Sequence, residues 1–104
     1  MDGMQDPEFY CELFNAVKQV KGAHNPHRVR VRKIGSFHMI SMDLEVDPDL
    51  RVKDAHEIAR QVELIIRTTL PNVYDIVVHI EPIGNIEKGE KFGLREGDVS
   101  GNEK

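Results

Sequence analysis

Tryptophan is absent from this 104-residue chain, cysteine occurs once, and aromatic residues make up only 6%. A single thiol, Cys11, cannot staple the fold, and cysteine-based zinc sites usually need paired Cys-x-x-Cys spacing; a reducing compartment fits best. No apolar run approaches the roughly 18 residues of a membrane span. The opening MDGMQDPEF lacks the apolar core of a signal peptide, so the chain reads as soluble. Positive charge is not in excess either: 14 Lys and Arg stand against 18 Asp and Glu, a net charge of −4. A sequence-independent grip on nucleic acid is therefore not expected. Ser-His-Asp patterns, P-loops and nucleophile elbows are missing as well, and no enzyme is predicted.

What remains suits one small domain with a modest core and a polar end. Asp6 is an N-cap candidate with Pro7 at the first helical position, and Gly22 is a stop signal. Between them Phe9, Leu13, Ala16, Val17 and Val20 recur at helical spacing, which predicts a helix from Pro7 to about Lys21. In HRVRVRKIGSFHMISMDLEVDP, Val29 and Val31 alternate with arginines, Gly35-Ser36 marks a turn, and Ile40, Met42, Leu44 and Val46 alternate with polar residues. That is a β-hairpin with one apolar face. Ala55, Ala59, Val62, Ile66 and Leu70 form the stripe of a second helix, ended by Pro71. A last strand is expected from about Asn72 to Glu81, with Ile76, Val78 and Ile80 facing the core. Residues 1–6 and 83–104 read as a flexible N-terminus and a flexible polar tail around a folded 7–82.

The order predicts an α+β, ferredoxin-like α-β-β-α-β fold, two helices on one face of a three-stranded mixed sheet. The second helix joins strands two and three, which makes them parallel. Asp43, late in strand two, should then lie beside His79, late in strand three, on the face away from the helices, with Glu81 close by. His27 reaches the same end only if the hairpin brings it round. An imidazole or two with two carboxylates is an ordinary ligand set for a divalent transition metal. The plain alternative is a solvated polar face, since cross-strand His–Asp pairs are common. His56, on the first turn of helix two, reads as a solvated residue, His24 and His38 as surface residues beside turns, and Cys11 as a small packing residue. The arginines of strand one read as partners for Asp43 or Glu45. RNA binding in this fold needs aromatic platforms on the central strands, and those are missing.

The stretches HRVRVRKIG, MDLEVDPDLRVKDAHEIARQVE and PNVYDIVVHIEP resemble the cytoplasmic C-terminal domain of the cation diffusion facilitator transporters over about residues 7–82. The resemblance implies a homodimer hung on the cytoplasmic side of the membrane below a six-helix unit of the same polypeptide, which exports zinc or a similar ion by proton exchange. It implies that metal binding biases the transporter's conformation, with ligands at His27, Asp43, His56, His79 and Glu81. Many zinc-transporting members carry histidine where this chain has Asp43; a carboxylate makes the site harder, so manganese, iron and cobalt join zinc as candidate ions. A free-standing metal-binding protein or chaperone of the same fold is the alternative, ahead of a nucleic-acid or small-ligand regulatory module.

Overall fold

A computed structural model describes residues 6–84; of the two predicted flexible ends, residues 1–5 and 85–104 lie outside the described part. The element order is α1 (Pro7–Lys18), β1 (His24–Ile34), β2 (Phe37–Val46), α2 (Val52–Thr69) and β3 (Val73–Pro82). This is the expected ferredoxin-like α-β-β-α-β arrangement. Among the described residues no helix is long and apolar enough to cross a membrane.

Each boundary has a local cause. The Asp6 carboxylate accepts a hydrogen bond from the Phe9 N–H at 3.2 Å, and Pro7 opens α1. The cap satisfies one of the N–H groups that a helix start leaves without a partner. The helix ends at Lys18, short of the predicted Lys21. Val20 N bonds Val17 O and Ala23 N bonds Val20 O, so the chain tightens into turns before Gly22 reverses it at φ +91°. Only glycine adopts that backbone without strain. A Cβ on Gly22 would also lie 2.8 Å from Ile58 Cδ1, so the turn is pressed against α2.

The sheet order is β1-β2-β3, with β1 antiparallel and β3 parallel to β2. Ile40, Met42, Leu44 and Val46 of the central strand are all buried, as period-2 alternation requires. They meet Phe9, Leu13, Phe14 and Val17 from α1 and Val62 and Ile66 from α2. Each such side chain removed from water contributes roughly 1.5–3 kcal/mol. Both helices thus pack on one face, and from Met39 in β2 and Asp75 in β3 onward the odd-numbered residues point to the other.

His38 was expected at the surface, yet it is buried, stacked on Phe9 with ring centroids 4.1 Å apart. Its Nδ1 lies 3.0 Å from the Pro71 carbonyl, so the ring ties β2 to the α2–β3 turn. Turn proximity was a poor guide because His38 sits at the start of β2 on the helix side, beneath the first turn of α1.

Candidate metal centre

The two parallel strands place their polar residues in rungs. Asp43 is the register partner of His79, and Glu45 of Glu81. Adjacent strands lie roughly 4.8 Å apart, so such partners are in side-chain reach. The Asp43–His79 pair therefore stands where the sequence places it: Asp43 Oδ1 lies 3.4 Å from His79 Nδ1.

His27 arrives by a route that alternation does not foresee. Arg30 pairs with Ser41, which would put His27, three residues earlier, on the helix side with Val29. The register slips by one residue between His27 and Arg30, and again between His24 and His27. Arg28 (φ +50°) and Asn25 (φ +45°) occupy left-handed backbone at these two irregularities. A bulge of this kind adds one residue to one strand and re-aims its side chains. The result brings His27 opposite Asp43 and His24 opposite Glu45, both on the helix-free face.

This end of the face is not the wet surface expected of an uncovered sheet. His27, Asp43 and Glu45 are only 3%, 5% and 7% exposed. The doubly bulged segment shields them. Pro26 is buried, Asn25 Nδ2 donates to Glu45 Oε2 at 2.9 Å, and Arg28 Nε approaches Asp43 Oδ2 at 3.4 Å. An arginine beside Asp43 matches the ion-pair reading of strand one.

The ring of His27 is oriented for ligation. Its Nδ1 lies 2.8 Å from the Asn25 carbonyl oxygen, which can only accept, so the neutral ring carries its proton there. The lone pair is left on Nε2, aimed at Glu81 Oε1 at 3.4 Å with Asp43 Oδ2 at 4.0 Å. Such a carbonyl behind the ring is how metal-binding histidines are usually held. One ligand atom from each of His27, Glu45 and Glu81 falls within 4.8 Å of the others. Two unit negative charges about 5 Å apart repel by roughly 3 kcal/mol at an effective dielectric near 20. A cation between them removes that cost. One imidazole nitrogen and several carboxylate oxygens, gathered in a shielded spot, thus fit a divalent transition ion.

Of the five residues singled out from the sequence, His27 and Glu81 belong to this cluster, and Asp43 touches it through His27. His79 extends it outward, its side chain 70% exposed. His56 stands apart on α2, exposed, along a groove that it lines with Leu50, Ala55, Ile80, Glu81 and Pro82. Glu45 was read as a polar-face residue and a partner for the strand-one arginines, not as a ligand. Register arithmetic could have found it, because Glu45 and Glu81 each lie two residues beyond the Asp43–His79 pair on parallel strands.

Comparison with known proteins agrees with this fold. Residues 5–83 match the family model for the cytoplasmic domain of cation efflux proteins. The metal-bound C-terminal domain of the CzcD transporter from Thermotoga maritima superposes with a TM-score of 0.74 at 38% identity, covering 77% of this chain and 93% of that one. The cytosolic domain of a cation diffusion facilitator family protein gives 0.71 at 37% identity, covering 75% and 93%. Among curated relatives, the manganese efflux system protein MneP of Bacillus subtilis is 28% identical over 79% of this chain and 28% of its own length. Metal tolerance protein C1 of Arabidopsis thaliana is 35% identical over 64% of this chain and 14% of its own length. The chain thus spans about a quarter or less of these relatives. With its fold, its register and its histidine–carboxylate cluster, it belongs to the cytoplasmic-domain family of cation efflux proteins.

Proposed function

We propose that this chain is the dimerising, metal-sensing domain of a divalent cation efflux transporter, acting from the cytoplasmic side on a membrane portion of the same polypeptide. Its role is binding and regulation, not catalysis. The observation that carries the reading is the meeting of His27, Glu45 and Glu81 ligand atoms within 4.8 Å on the helix-free face. Asp43 and His79 extend the ligand set, and His56 adds to it from the neighbouring groove, on its own subunit or its partner's. Zinc is the first candidate ion. Manganese, iron and cobalt follow, because carboxylates outnumber imidazoles in the buried part of the cluster. The metal-bound description of the Thermotoga neighbour and the manganese named for the Bacillus relative support metal binding without choosing the ion.

A bound divalent ion supplies positive charge; the rest is done by the protein. In the metal-free domain, acidic clusters facing one another across a dimer seam repel. Once neutralised, Asp43, Glu45 and Glu81 no longer hold the subunits apart, and the population shifts toward a closed dimer that a membrane portion can read. Small-angle scattering with and without zinc or manganese tests this. The expected result is a more compact dimer with metal; identical dimensions in both states would end the regulatory reading.

A further inference from the structure

We infer that Asn25 is a positioning residue of the metal centre, setting both His27 and Glu45 for ligation; this rests on the metal-binding reading above. It makes two contacts from one bulge. Its backbone carbonyl accepts from His27 Nδ1 at 2.8 Å, and its side-chain amide donates to Glu45 Oε2 at 2.9 Å. The first contact selects the tautomer that leaves Nε2 unprotonated. The second orients a carboxylate 7% exposed that would otherwise rotate about its own bonds.

The choice of residue follows from the backbone. Asn25 has φ +45°, a conformation that few side chains other than asparagine and aspartate tolerate. Glycine would keep the backbone and lose the amide. Aspartate would keep the backbone but set a third acid against Glu45. Pro26, with its ring-fixed φ, stiffens the single residue between the anchor and the ligand. Asparagine therefore meets three demands together: left-handed backbone, a carbonyl turned to His27, and a neutral donor for Glu45. Outer partners of this kind typically change metal affinity by about 10–100-fold when removed.

The test uses the full chain and zinc alone. Asn25→Gly deletes the amide while still allowing the left-handed backbone, and calorimetry should show affinity for zinc weakened by about 10-fold, measured at a temperature where the metal-free variant is fully folded. In a Glu45→Ala background the same change should cost nothing more, because its effect runs through Glu45. A purely structural role would cost the same in both backgrounds. In the metal-free protein, ¹⁵N spectra should place the His27 proton on Nδ1 in the wild type and in Asn25→Gly. Asn25→Val, which rejects the left-handed backbone, should lose that preference. Wild-type affinity in Asn25→Gly, equal losses in both backgrounds, or a His27 tautomer indifferent to Asn25→Val would each overturn the inference. A wild-type chain that binds neither zinc nor manganese would instead sink the functional reading, and the spectra would then decide the positioning role alone.

Discussion

Asp43 and His79 are direct register partners on parallel strands, and their side chains meet at 3.4 Å on the face that no helix covers. In the proposed metal site the pair forms the outer part. Asp43 is buried and turns its other oxygen toward Arg28 and His27, whereas the His79 ring stands mostly in solvent. A proposed ligand set graded from shielded to exposed has consequences that separate its members.

Zinc titration should rank them. His27→Ala and Glu81→Gln remove atoms of the shielded cluster and are expected to weaken zinc by at least about 10-fold, or ~1.4 kcal/mol. The double variant Asp43→Ala/His79→Ala should also lose affinity. Heats equal to those of the wild type in that double variant would strike the outer pair from the site.

Acidification should release the metal. Metal ligands must be deprotonated to bind, so protons compete with the ion and affinity should fall as pH drops. Calorimetry at pH 7.5 and 5.5 reads this directly. Affinity that stays level across that interval would argue against imidazole ligation.

Tyr10 should set an alkaline limit on stability. Burial raises its phenol above the ordinary value of 10.0, and the hydrogen bond from Val31 N–H to its oxygen opposes this only in part. The unfolded chain therefore gives up this proton first, and stability falls as pH climbs above about 10. Tyr10→Phe should remove that slope while costing about 1–3 kcal/mol at neutral pH, because the Val31 N–H loses its acceptor. Urea unfolding at pH 8 and 10.5 measures both effects.

His38 should matter for stability and not for metal. His38→Ala removes the stack on Phe9 and the bond to the Pro71 carbonyl, at an expected cost of about 1–3 kcal/mol in urea unfolding. Its zinc affinity should match the wild type. A loss of binding in this variant would mean that the two ends of β2 are coupled in a way the separate packing of His38 does not predict.

Much of the architecture was legible because each element carries its own period and punctuation. Leu44 and Val46 alternate with Asp43 and Glu45, and Pro7 and Pro71 mark helix limits that the fold respects to within a residue. The rung pairing Asp43 with His79 followed from the parallel crossover between neighbouring strands and from the place of both residues near their strand ends. His27 was harder, since strict alternation assigns it to the helix side. Two left-handed residues correct that, and neither Asn25 nor Arg28 announces a bulge by type, although asparagine permits one. Glu45 escaped notice because an acid on a polar strand face looks solvated until its neighbours are seen to bury it. His38 failed for the opposite reason: a polar ring next to a turn can still be covered by an aromatic from another element.

The cluster draws one candidate ligand from each strand: His27 from β1, Glu45 from β2 and Glu81 from β3. A cation held there acts as a rivet through the whole sheet. The two outer strands, otherwise free to fray separately from the central one, become a single opening unit, and amide exchange near His27 and Glu81 should slow together when the ion is present.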